Sequence, residues 1–266
     1  MPKSPITKLV IIVIIALLVP IFTYTVFQFQ QSDEDEKLVK SIYDRQLSSI
    51  LFSVNQHCWD VFTSWSSELS TQAESYTRQS YGRLKSGLYN FYHSQAAVTG
   101  AFVRFSPQNI VYAIADESEN LRTRSQRAEF YQKINSFVGN NSAKIERSIK
   151  QAEKGYIKPV VIVWDDDSQK RLTLLIFPLS QNSYSGDNTI LTGIFIDELV
   201  YINEIIARKF GSMNDGNFVF AVKDKDQILF STEEIEEGNF EKIEELWILP
   251  NLDIEVKLSG TTLAQL

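Results

Sequence analysis

Cysteine is almost missing. Cys58 stands alone among 266 residues, so no intrachain disulfide and no cysteine metal site can form. Histidine is nearly as scarce: His57 and His93 are the only two, far apart in the chain. Acidic residues are absent from the first 32 positions, and all 33 lie at or after Asp33. Two of the 26 basic residues, Lys3 and Lys8, precede that point. The rest therefore holds 24 basic against 33 acidic residues, a balance of −9. An acidic exterior argues against nucleic acid and against anionic lipid as partners. No repeat of fixed short period is present. Nor is there a nucleophile motif or a metal-ligand spacing, so no catalytic residue, metal or cofactor is implied.

What is there first is a long apolar run, Leu9 to Phe29. Its core, Leu9 to Val19, carries no charge and no strongly polar group. Roughly 20 such residues in a helix, at about 1.5 Å each, span a hydrocarbon core of about 30 Å. Pro20 is tolerable in such a helix, Thr23 and Thr25 can bond back to its carbonyls, and Tyr24 suits an interface. The run predicts a transmembrane helix over 9–29. Lys3 and Lys8 before it, and Asp33 to Glu36 after it, put the short N-terminus (1–8) in the cytoplasm and the rest outside. A cleaved signal peptide is the alternative, with an apolar region of about 7–15 residues and a small-x-small site. The segment after Val19, PIFTYTVFQF, offers no such site.

About 230 residues follow, enough for one large domain or two small ones, and 44% apolar content suits a globular chain. Ser32 with Asp35 has the spacing of a capping box and predicts a helix restarting there. Leu47, Leu51, Val54, Cys58, Val61 and Trp65 recur at alternating four and three, the pattern of a heptad seam that could pair two copies. Ile50, Trp59, Phe62 and Leu69 widen the stripe, as in a helix packed on its own domain, so both readings stand. Tyr81 to about Gln95 predicts a second helix, closing a long helical region over 32–96.

After Ala97 the period changes. Residues 99–106 and 110–115 predict a β-hairpin around Ser-Pro-Gln-Asn. Phe130, Ile134 and Phe137 mark a helix. Ser142 to Lys154 marks another, with Ser142 as N-cap and Gly155 as its stop. Strands are expected at 160–164, 171–180 and 189–196, then a helix from Asp197 to about Phe210, and a linker bracketed by Gly211 and Gly216. The tail predicts a hairpin around Lys-Asp-Lys-Asp, a short acidic helix over about 240–247 and a final strand, DIEVKLS. This order suits an α+β fold, an antiparallel sheet with flanking helices and a small second β unit.

The layout resembles a known family. A first transmembrane helix, a long outer helix, then hairpin, helices and three strands, resembles Cache-type, PAS-like extracytoplasmic sensor domains. LTGIFIDELV followed by NEII is similar to the last core strand and exit helix of that fold, with Asp197 closing a G-x-x-x-x-D strand end. LFSVNQHCWDVFTSWSSEL (51–69) and LWILPNLDIEVKLSGTTLAQL (246–266) resemble input regions of bacterial sensor histidine kinases. The resemblance implies a sensor domain over 97–211, a small membrane-proximal α/β unit over 212–266, and a periplasmic location. It departs in one respect: no His-Glu-x-x-x-Pro phosphoacceptor run and no glycine-rich ATP lid occur.

The candidate ligand contacts are Asp197, Trp164, Arg104 and Tyr112. By resemblance Asp197 meets a ligand amine, although its place before a helix needs only a cap. Trp164 could stack on a ligand or simply fill a core or rim. Arg104 and Tyr112 on the hairpin could hold a carboxylate, and an exposed strand face explains them equally. Asp165, Asp166 and Asp167 lack the alternate spacing, glycine and distal glutamate of a calcium loop, and read as a solvated turn. Three functions stay open: a membrane-anchored sensor that binds a small molecule, dimerises through the long helix and signals across the membrane; an extracytoplasmic hydrolase using paired carboxylates; and a structural or assembly protein.

Overall fold

The computed structural model describes residues 5–74, 81–114, 124–164, 171–179, 189–213, 216–233 and 240–259; at 5–16, 29, 32, 33, 36, 74, 124–126 and 164 it describes the backbone alone. The first element, α1 (Pro5–Glu74), is a single helix of 70 residues. It passes through Ser32 without the restart expected there. No glycine or proline stands between residues 21 and 74, so nothing breaks the hydrogen-bond ladder, and a capping-box spacing alone does not. Thr23 donates to Val19 O and Pro20 O, both at 3.0 Å, and Thr25 to Ile21 O at 2.8 Å. Among the described residues no helix is long and apolar enough to cross a membrane. The side chains of Leu9–Ala16, most of the apolar core of the expected span, lie outside those residues.

Two compact units divide the chain, with the boundary inside α1 between Ile50 and Leu51. In the first unit Leu17, Leu18, Ile21, Phe22 and Phe27 are exposed, as are Leu38 and Ile42. The second, Leu51–Gly260, holds two antiparallel sheets. The five strands of the first are β1 (Val98–Ser106), β2 (Asn109–Ile114), β3 (Val160–Trp164), β4 (Leu172–Pro178) and β5 (Leu191–Asp197), ordered β2-β1-β5-β4-β3. The four of the second are β6 (Phe218–Asp224), β7 (Gln227–Ser231), β8 (Lys242–Glu245) and β9 (Asp253–Leu258), ordered β7-β6-β9-β8. The protein is an α+β fold.

Period-2 alternation sorts the first sheet's side chains onto two faces. Phe102, Leu174, Ile176, Leu191 and Phe195 meet Phe130 and Ile134 of α3 (Arg124–Asn140) and Ile145 of α4 (Ser142–Ala152) in one buried cluster. On the opposite face, Phe177 meets Phe62 of α1 edge-on, ring centroids 5.2 Å apart. Helix α2 (Tyr81–Ser94) packs on β1 and β2. Its Gly87 admits α1 closely: a Cβ there would lie 2.4 Å from Gln72 Oε1.

Several expectations are corrected. The residue capping α4 is Asn141, not Ser142, and its side chain makes no cap bond; its Nδ2 donates back to Phe137 O. Gly155 does follow the helix with φ +86°, the left-handed conformation that glycine tolerates. Gly211 lies within α6 (Ala207–Met213) rather than a linker, while Gly216, φ +83°, turns the chain into β6. The acidic helix expected at 240–247 is absent: Lys242–Glu245 is the edge strand β8, paired to β9. A free edge on β9 offers backbone partners that outweigh the weak helix preference of a four-residue segment. Its charged residues suit a strand edge.

From Leu51 on, the α1 stripe is turned into the second unit's own core: Leu51, Val54 and Cys58 have 0% exposure and Trp65 3%, and Val61 is half-buried, while Leu47 belongs to the first unit. Side chains without exposed surface in one chain present nothing to a second copy. The width of the stripe, with Phe62 and Leu69 also buried, is the signature of a packed helix rather than a two-helix seam.

Candidate ligand-binding site

Strand register fixes where the four sequence candidates lie. Trp164, Leu172 and Asp197 form one row across β3, β4 and β5. Arg104 pairs with Leu191, six residues before Asp197 on β5, which places the two roughly 20 Å apart. Tyr112 pairs with Phe102 near the Arg104 end. The four therefore do not converge on one point.

Each has its own surroundings. Asp197 caps α5 (Glu198–Tyr201), its Oδ1 accepting from Leu199 N and Val200 N, both at 3.1 Å. That arrangement satisfies two otherwise orphaned helix donors. Arg104 is half-buried, and burial pulls its guanidinium below its ordinary value. Its Nε donates to Asn135 Oδ1 at 2.9 Å, and Asn135 Nδ2 donates to Pro107 O at 2.8 Å. Tyr112 is buried against Phe130 at 4.9 Å and Tyr131 at 6.0 Å. The Trp164 side chain and residues 165–170 lie outside the described residues.

One buried polar group, Glu198, sits next to Asp197 in sequence and escaped the sequence reading. Glu198 is 2% exposed. Its Oε2 accepts from Arg171 Nε at 3.1 Å, and its Oε1 from Thr173 Oγ1 and from Asn251 Nδ2 at 3.2 Å. Arg171 also pairs with Asp224 at the end of β6. Those partners raise the Arg171 guanidinium above its ordinary value, the bond to Asp224 being the largest cause. A buried carboxylate of this kind needs several donors. Here they come from β4, from Arg171 just before it and from the turn before β9, and Arg171 carries the network on to Asp224 of β6 in the second sheet.

A second link ties α1 to the segment 245–252. Asn55, fully buried on α1, donates from Nδ2 to Glu245 O at 3.1 Å and accepts on Oδ1 from Trp247 N at 3.0 Å. Both ends of its amide are thus matched to one stretch of backbone. Leu246, Ile248, Leu249 and Leu252 are buried, and the rings of Trp247 and Phe52 meet edge to face with centroids 5.5 Å apart.

Between this strap, α1, α4 and the start of β3 lies a cleft of about 920 Å³. Gln56 and Trp59 face it from α1, Trp247 and Pro250 from the strap. Lys144, Arg147 and Gln151 of α4, spaced i, i+3 and i+7, form one wall, and Lys158 joins them from the approach to β3. Ser148 donates its hydroxyl to Lys158 O, fixing that approach to α4. Among the described residues none of the three cations pairs with a carboxylate. Among the described residues the one carboxylate on the lining is Glu245. Three cations against one anion give the cleft a balance of +2 in a chain of net charge −7. None of these residues was a sequence candidate. The spacing on α4 is visible in the sequence, but its meeting with Lys158 and Trp247 is tertiary.

Cys58 of α1 and Tyr201 of α5 lie together in the core. Burial pushes the Cys58 thiol up to about 11 and raises the Tyr201 phenol well above its ordinary value. A neutral, enclosed thiol is a poor nucleophile.

No protein-family model matches the chain, and no curated protein matches it. Among solved structures it is similar to the sensory domain of the Campylobacter jejuni chemoreceptor Tlp3 with isoleucine bound: 12% identity, 83% of this chain and 95% of that one covered, TM-score 0.46. The periplasmic domain of Vibrio cholerae LuxQ matches at 13% identity, 80% and 97% coverage and TM-score 0.46. The ligand-binding domain of the Pseudomonas aeruginosa amino-acid chemoreceptor PctC, in complex with GABA, matches at 11% identity, 78% and 94% coverage and TM-score 0.39. Scores of this size do not establish a common fold.

Proposed function

We propose that this chain is the input region of a membrane-anchored receptor, a non-catalytic sensor that binds a small molecule outside the cell membrane and passes the signal inward along α1, as in a two-component histidine kinase. The observation that carries this reading is the architecture: hairpin, helices and three strands closed into one antiparallel sheet, ordered β2-β1-β5-β4-β3, with α1 packed on one face and α3 and α4 on the other. It is the layout that the sequence resemblance implies. The exposed Leu17, Ile21, Phe22 and Phe27, together with the uncharged run before them, support an anchor over 9–29 with the N-terminus cytoplasmic. The proposed division is a tail (1–8), the anchor, a helical region (32–96), the sensor domain (97–211) and a membrane-proximal unit (212–266).

Asn55 and the Phe62–Phe177 contact give α1 two points at which movement in the outer unit reaches it. A ligand favouring one of two arrangements there would shift the helix. Two anchored copies pair, in this account, through the exposed Leu38 and Ile42 of α1, since the buried stripe is occupied. Reporter fusions after Lys40 test the topology. A periplasm-active reporter should be active there and a cytoplasm-active one silent; the reverse would end the sensor reading.

A further inference from the structure

We infer that the cleft between α4, α1 and the 245–252 strap binds a small organic anion carrying a flat apolar group. The inference rests on the sensor reading and names the class of ligand for it.

The volume of about 920 Å³ falls in the range of small-molecule sites, about 300–1,000 Å³. Lys144 and Arg147 project from one face of α4, one turn apart, and the Ser148 bond ties the backbone of Lys158 beside them. Cations without carboxylate partners among the described residues are ready to receive one from a ligand, and a guanidinium does so with two parallel bonds. The sign of the charge is opposite to that of the whole chain, so this is not a sample of the average surface. Trp59 and Trp247 supply apolar area on the other walls. An indole face takes a planar group well. Both tryptophans belong to elements that Asn55 joins, Trp59 lying four residues after it on α1 and Trp247 held through its own backbone. An anion drawn toward α4 while its ring rests on Trp247 would therefore load the same strap that is bonded to α1. Phosphate-like anions share the charge but lack the ring, and the probes below separate the two.

The test is calorimetric titration of the full chain in lipid nanodiscs with phthalate, benzoate and sulfate. Phthalate, a planar dianion, is expected to bind at one site per chain, more tightly than benzoate and far more tightly than sulfate. Arg147→Gln and Lys144→Gln should each weaken phthalate about tenfold or more, and Arg83→Gln, an exposed cation on α2, should leave it unchanged. Trp247→Ala should bring phthalate down toward sulfate. Because Lys144 and Arg147 are exposed, thermal unfolding should be unaltered in their variants, which separates lost binding from lost structure. The inference is overturned if phthalate gives no binding heat, if its affinity is the same in Arg147→Gln and Lys144→Gln, or if sulfate binds as well as phthalate. Each of these would leave the reporter-fusion result, and with it the sensor reading, standing; reversed topology with intact phthalate binding would remove the sensor reading alone.

Discussion

Asn55→Ala should detach the strap from α1. The side chain is fully buried and makes two bonds, to Glu245 O at 3.1 Å and from Trp247 N at 3.0 Å. Each is worth about 1 kcal/mol net, and the two backbone groups left behind add desolvation of about 1–3 kcal/mol unless water reaches them. The expected loss is roughly 2–5 kcal/mol. For a unit of this size each kcal/mol lowers Tm by about 2–4 °C, so the fall should be on the order of 4–20 °C. Asn55→Asp keeps the acceptor for Trp247 N but turns a carboxylate toward Glu245 O, and should be no milder. Ser67→Ala, an exposed position on the same helix, should change stability by less than about 0.5 kcal/mol. Thermal unfolding followed by circular dichroism gives the loss. An Asn55→Ala protein within about 0.5 kcal/mol of the parent would refute the claim that α1 holds the strap.

Other consequences are as direct. Glu198→Ala leaves Arg171, Thr173 and Asn251 without their shared acceptor and should cost about 3–5 kcal/mol by denaturant unfolding; a loss under 1 kcal/mol would show the network to be dispensable. Gly193→Ala puts a Cβ 2.1 Å from Phe102 Cε1 in a packed core, for an expected loss of about 1–3 kcal/mol, partly restored by adding Phe102→Leu; no loss would mean the ring moves freely. Cys58 keeps its proton in the folded state up to about pH 11 but loses it near pH 9 when unfolded. Between those values the unfolded chain binds fewer protons, so stability should fall as pH rises, by roughly 2–3 kcal/mol in all. Cys58→Ala should flatten that stretch of the stability-pH curve, and an unchanged slope would contradict it.

Much of the fold is legible in the sequence because the signals are local. Ser-Pro-Gln-Asn marks the first hairpin, Lys-Asp-Lys-Asp the second, and Lys225, φ +54°, is the residue that turns there. The capping role of Asp197 is legible for the same reason, since its partners are two and three residues on. What escapes is decided elsewhere in the chain. Phe240, Ile243 and Leu246 have helical spacing, yet β9 claims 242–245 as an edge strand. Heptad spacing from Leu47 to Trp65 fits a dimer and a core equally, and the burial of Leu51, Val54 and Cys58 is set by residues elsewhere in the chain. The cleft draws on α1, α4, β3 and the strap, segments up to about 190 residues apart, and no spacing within one segment announces it.

Hydrogen exchange along α1 in the full chain, in nanodiscs with and without saturating phthalate, tests the central claim most directly. A sensor that signals through α1 should change its amide protection from Leu38 to Cys58 as well as at 245–252. Protection that changes only at the cleft, with α1 unaltered from Leu38 to Cys58, would contradict it.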